Sequence, residues 1–177
     1  GDKNRLGRKM ENFIFAYKSF AACNCLSDDT DGFELLVRED GLLKYQTFTF
    51  EGCAIDLAFY KLRPETLEKI KNTMEAHAEI FEVNSQLRNG SMDGTFHQFL
   101  FTAAGKEREI LALNIENSMD DQRKIRKAYR KAYGETLRQE RIVLNLFFEI
   151  CAILKEEKYE LALDHFITPR LSVQRPK

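Results

Sequence analysis

Apolar and polar residues alternate along several stretches in the first third of the chain, and this period of two predicts β-strands. The predicted strands cover residues 12–22, 33–38, 42–50 and 55–59. Asp40-Gly41 separates the second strand from the third, and Asp-Gly is a strong signal for a tight hairpin. We therefore expect this part of the chain to form a meander of antiparallel strands.

A different spacing begins at Pro64, where apolar residues recur at three- and four-residue steps. The residues of this stripe are Leu67, Ile70, Met74, His77 and Phe81. Proline suits the first position of a helix, because the N–H that it lacks would have no partner there. The pattern predicts an amphipathic helix over residues 64–81 with one face on a sheet.

The chain then returns to strands before its last helices. Residues 84–94 are polar and contain two glycines, so we expect a loop. Residues 95–102 and 107–115 flank a turn at Ala104-Gly105 and predict a second hairpin. From Ser118 onwards the spacing predicts a helix.

Two signals divide this C-terminal helical region into two predicted helices. Gly134 suits the position just after a helix end, and Thr136 with Gln139 has the spacing of a capping box. The first helix would cover residues 119–133 with Ser118 as its N-cap, and the second would run from Thr136 to about residue 157.

The second of these helices is the most apolar stretch of the chain. From Ile142 to Leu154 only Asn145 and Glu149 are polar, and their spacing of four residues places them on one face. A helix that is apolar on its other sides must be covered on most of them. We expect the sheet and the 64–81 helix to cover two sides. A third side would need either the 119–133 helix or a second copy of the chain.

Together these elements predict an α+β fold with a mainly antiparallel sheet of about six strands and about three helices on one face. We expect one domain over residues 1–177, with a flexible arm at residues 2–10 and a flexible tail at 169–177. Residues 159–167 alternate weakly, so a short strand and a helical turn both remain open there.

Composition narrows the class of protein but does not identify it. The 177-residue chain has a formal net charge of −1, so no global field attracts nucleic acid, which would need a local basic patch. No apolar run approaches the length of a membrane span. The four cysteines complete no metal or redox motif, which favours free thiols in a reducing, cytoplasmic compartment.

A basic run is the first candidate for chemistry. Its members are Arg123, Lys124, Arg126, Lys127, Arg130 and Lys131, and Tyr129 and Tyr133 accompany them. Such a cluster could bind phosphates. On a helix, however, these cations spread around the apolar stripe, and acidic residues flank them. We therefore predict that the basic residues form a solvated helix face, and nucleic-acid binding is the alternative.

The histidines and the acidic loop are candidates for a metal site. If His97 points to the helix-covered face, it could approach His77, and a Cys or carboxylate could complete a metal site. A hydrogen-bonded histidine at the edge of a core is commoner. The loop at residues 28–32 fails the EF-hand register, because Ser27 and Arg38 stand where carboxylates are needed. We therefore expect no metal and no cofactor.

A polar stripe on the most apolar helix is the last candidate. It contains Arg138, Arg141, Asn145 and Glu149. Asn145 and Glu149 could form a buried polar pair that lines a pocket, or the stripe could be the helix's solvated side. We favour the solvated side, since an unpaired glutamate is rarely buried.

No catalytic motif is recognisable, so the preferred hypothesis is a non-catalytic protein-interaction or ligand-binding domain that could form a homodimer. Its motivation is surplus apolar surface, since the strands at 12–22 and 42–50 carry apolar residues on both faces. The alternatives are a nucleic-acid-binding protein that uses the helix at 123–131, and an enzyme or metal site built on His77 and His97.

Overall fold

A seven-stranded sheet organises the computed structural model, which describes residues 12–21, 32–48, 54–88, 95–113 and 127–157. The strands are β1 (Phe13–Ala21), β2 (Gly32–Arg38), β3 (Leu42–Phe48), β4 (Ala54–Lys61), β5 (Gln86–Leu87), β6 (Thr95–Ala103) and β7 (Lys106–Leu113). Their order across the sheet is β4-β3-β2-β1-β6-β7-β5. The predicted α+β class with a mostly antiparallel sheet is confirmed.

Both predicted hairpin turns are present. Gly41 has φ +91° in the β2–β3 turn, and its N–H donates to Arg38 O at 3.0 Å. Ala104 and Gly105 join β6 to β7 with φ values of +50° and +76°. A positive φ is easy for glycine because it has no Cβ, whereas for Ala104 it costs free energy.

The count of about six strands is wrong, because the expected loop at 84–94 contains β5. This two-residue strand pairs with β7 in parallel, which makes the sheet mixed. The Leu111 N–H donates to Ser85 O at 2.8 Å and starts the pairing. Two residues are too few to produce a recognisable period, so only the tertiary contact reveals this strand.

The first helix, α1, runs from Pro64 to Ala76, with Pro64 in its first turn as predicted. It is shorter than the predicted 64–81 helix. His77 takes a non-helical backbone conformation, and a 3₁₀ helix follows over Ala78–Glu82. The apolar side chains continue past this break, since Ile80 is fully buried, and the sequence spacing therefore did not reveal it.

The second helix, α2, runs without interruption over Lys127–Glu156. The predicted helix end at Gly134 is therefore wrong, and within the described residues the count of about three α-helices falls to two. Glycine costs only about 1 kcal/mol in a helix, and continuous packing can override this. The predicted capping box is also absent, because the Gln139 Oε1 accepts from the Asn84 N–H at 2.7 Å.

The helices cover one face of the sheet, as expected, and α2 packs beside α1. Phe147 on α2 is fully buried against three aromatic rings of the sheet. Its ring centroid lies 4.5 Å from that of Tyr17, 5.4 Å from Phe99 and 6.0 Å from Phe15. This aromatic cluster forms the centre of the core.

The remaining side of α2 faces solvent. Arg138, Arg141, Asn145 and Glu149 are all exposed and follow one another at helical spacing. Arg138 donates to Glu135 at 3.0 and 2.6 Å, and these hydrogen bonds lower the pKa of Glu135 to about 2. The strip accounts for the third side of α2, so over this stretch the helix needs no second copy of the chain to cover it.

The end of α2 is fixed to the start of α1. Arg63 Nη2 donates to Glu157 Oε1 at 2.6 Å, and the Thr66 hydroxyl donates to the same carboxylate. These hydrogen bonds, from Arg63 first, lower the pKa of Glu157. The contact joins residues that are more than ninety positions apart in the chain.

Candidate interaction surface on the open face of the sheet

The second face of the sheet carries the side chains that alternate with the core residues, and we call it the open face. The register of the strands determines its membership. Its larger apolar members are Phe13, Phe20, Leu36, Leu42, Leu57, Phe59, Phe96, Leu100 and Leu111. Most of them are half-buried, whereas Leu57 is 53% exposed and Phe59 is 56% exposed. Among the described residues, these two are the exposed large hydrophobic side chains.

Strand β4 is oriented opposite to what its composition suggests. Ala58 pairs with the buried Tyr45, and Tyr60 pairs with the buried Leu43, so the even-numbered residues of β4 face the helices. Leu57 and Phe59 consequently project from the open face. In β1, β2 and β3 the apolar residues of the open face are at least half-buried, but β4 presents two exposed ones at its end of the described sheet.

A shallow depression of about 360 Å³ adjoins Phe59 on the open face. It is lined by Phe13, Glu34, Leu36, Arg38, Leu42, Lys44 and Phe59. Lys44 Nζ lies 3.3 Å from Glu34 Oε1, and Arg38 Nη2 lies 2.8 Å from Asp40 Oδ2. A hydrogen bond from the Leu42 N–H, together with the charges of Arg38 and Lys61, lowers the pKa of Asp40. Because Lys44 and Arg38 each have an acidic neighbour, their charges are largely balanced. The depression therefore combines apolar lining residues with a weak net electrostatic field.

His97 lies in the core. It faces the helices, as the metal hypothesis requires, and is 3% exposed. Its Nδ1 forms a hydrogen bond of 2.7 Å with the Tyr17 hydroxyl, and the two rings stack with centroids 5.9 Å apart. His97 is therefore buried and hydrogen-bonded inside the core.

His77 has different neighbours at the end of α1. Its Nδ1 donates to Thr73 O at 2.8 Å, and its Nε2 lies 3.3 Å from Glu149 Oε1. This contact links the two helices and is an ion pair when the ring is protonated. Within the described residues, no group of three or more His, Cys, Asp or Glu side chains could hold a metal ion.

The other sequence candidates lie partly or wholly outside the described residues. Arg123, His165 and the acidic loop at 28–31 lie outside them. Lys127 and Arg130 occupy the first turn of α2, and their side chains are not described. The basic helix therefore stays a prediction, as do the arm at 2–10 and the tail at 169–177.

Comparison with known proteins gives no family to guide the assignment. No protein-family model matches this chain, and no curated protein matches it. In the described part of the chain, neither helix is both long enough and apolar enough to cross a membrane.

Sequence reasoning did not select Leu57 and Phe59 as site residues. The alternation of Leu57 and Phe59 with Asp56 and Ala58 was visible and correctly indicated a strand. Alternation alone gives the two faces of a strand but not which of them meets the core. The pairing of β4 with β3 decides the orientation.

Proposed function

We propose that this protein is a non-catalytic interaction domain that binds a protein partner through the β4 end of its open face. The observation that carries the proposal is the outward orientation of Leu57 and Phe59, each more than half exposed. Folding places the smaller Ala58 toward the helices while these larger side chains face solvent. Apolar side chains that stay exposed depart from the usual burial pattern, and such departures are expected at functional sites.

The neighbouring depression extends this surface. Leu42, Leu36 and Phe13 line it beside Phe59, so a partner could contact apolar side chains on four neighbouring strands. Lys44 lies opposite both Phe59 and Leu36 in the strand register, so its ion pair with Glu34 stands within this surface. Non-obligate protein–protein interfaces commonly combine apolar and charged residues in this way.

Site-specific photocrosslinking in the cells that make the protein tests this proposal. We expect a benzoylphenylalanine at position 59 to form a covalent adduct on irradiation. The same group at Glu107, an exposed residue near the β6–β7 turn, should give none. An excess of the unlabelled protein should suppress the adduct, while an excess of its Phe59→Lys variant should not. No adduct from position 59, or equal adducts from both positions, would refute the proposal.

A further inference from the structure

We propose that the partner is a second copy of this chain, and that two copies join through their β4 strands into one continuous sheet. The inference rests on the proposed function and names the partner of the same surface. In the described part of the chain, β4 is the last strand at its end of the sheet. An edge strand presents backbone N–H and C=O groups that another strand can bind.

The hydrogen-bond pattern shows which residues of β4 present these groups. The Leu62 N–H donates to Gly41 O at 2.8 Å, which makes this cross-strand pair a hydrogen-bonded one. Bonded and non-bonded pairs alternate along an antiparallel ladder. Ala58 and Tyr60 therefore direct their backbone groups toward β3, while Leu57, Phe59 and Lys61 direct theirs outward. The residues with outward backbone groups include both exposed apolar side chains.

A two-fold axis at Ala58 would place β4 of one copy beside β4 of the other, with the outward backbone groups of the two strands facing each other. Two copies of one strand related by such an axis are antiparallel, and residues directly opposite share a face. Leu57 then lies opposite Phe59 of the second copy, and Asp56 lies opposite its Tyr60. Aliphatic–aromatic cross-strand pairs are favourable, and this register sets no like charges opposite each other at these positions.

The opposite edge of the sheet explains why the assembly closes as a dimer. There the last described strand is β5, which has only two residues. β5 pairs with β7 only at Leu111 and Ala112, and Arg108 of β7 donates to Phe81 O, so this edge offers a shorter open stretch, at residues 106–110, than the eight residues of β4. Among the described strands, pairing β4 with itself matches the two longest open edges, which favours a two-fold dimer over a head-to-tail chain.

The apolar area indicates a weak, reversible dimer. With more than half of Leu57 and Phe59 exposed in each copy, the two pairs offer on the order of 400 Å² of apolar side-chain surface. Backbone and neighbouring atoms raise the total, but it stays below the roughly 1,200–2,000 Å² of a standard stable interface. We therefore expect the dimer to have a dissociation constant in the micromolar range.

Sedimentation of the purified protein from about 1 μM to about 1 mM tests the dimer. We expect a reversible monomer–dimer equilibrium, with Phe59→Lys weakening dimerisation at least about tenfold. Leu100→Lys is the matched control on the same open face, at an inner strand, and should leave the equilibrium unchanged. A monomer at every concentration would overturn the inference, as would equal weakening by both variants, which indicates face-to-face packing.

Hydrogen exchange of the unmodified protein provides a second measurement that needs no variant. Protection of the Leu57 and Phe59 amides should rise with concentration, while the Ala58 and Tyr60 amides are protected throughout. A dimer without this pattern would contradict strand pairing. A monomer whose position 59 crosslinks to another protein would remove only the second-copy partner. Absence of any crosslink from position 59 would remove the proposed function as well.

Discussion

Replacement of Gly134 by alanine tests whether α2 is one helix or two. Gly134 lies inside the helix, is exposed, and has open space around the position of an added Cβ. Alanine in an exposed helix interior is more favourable than glycine by about 0.5–1 kcal/mol. In a domain of this size, that gain should raise the Tm by about 1–4 °C.

Gly105 gives a matched control, because its added Cβ would also meet open space. The two glycines differ in backbone conformation, since Gly105 has φ +76°. Alanine there should cost about 1–2 kcal/mol and lower the Tm by about 2–8 °C. Thermal unfolding followed by circular dichroism measures both variants. If Gly134→Ala lowered the Tm as Gly105→Ala does, the helix would end at Gly134 and the continuous α2 would be wrong.

Two further variants test the core and the contact between the helix ends. Phe147→Ala should cost about 3–5 kcal/mol in chemical denaturation, because the side chain is fully buried, and the half-buried neighbour Phe148→Ala should cost less than half as much. Equal losses would mean that α2 is rotated from its described position. Glu157 has a lowered pKa, so its contribution to stability is present above its ordinary value of 4.5 and is lost as pH falls through the folded value. Glu157→Gln should therefore lower the Tm near neutral pH, with the difference from the unmodified protein narrowing in acid; a constant difference would contradict the contact.

The hairpins and the first turn of α1 could be predicted because their causes are local. Gly41 and Gly105 permit the positive φ of a tight turn and Pro64 fixes φ at a helical value, and the structure places a turn or a helix start at each. The break at His77 and the strand β5 depend instead on distant contacts. Arg108 donates to Phe81 O and fixes the 3₁₀ helix against β7, which no local spacing encodes.

The candidate surface was only partly predictable for a related reason. Apolar residues on both faces of the early strands indicated surplus apolar surface, and this led to the interaction hypothesis. The outward orientation of Leu57 and Phe59 depends on the β3–β4 register, which is regular from Leu42 to Thr47. A change of one position in that register would turn both side chains into the core.

The position of β1 also has a consequence for synthesis on the ribosome. β1 lies in the interior of the sheet between β2 and β6, yet about 70 residues separate its end at Ala21 from the start of β6 at Thr95. At ordinary elongation rates, β6 appears roughly 4–15 s after β1. During that interval one edge of β1 has no β6 to pair with, and the later helix α2, whose Phe147 covers Phe15 and Tyr17, has not been synthesised. The nascent chain thus passes through a stage in which Phe15 and Tyr17 are accessible to chaperones and to neighbouring nascent chains.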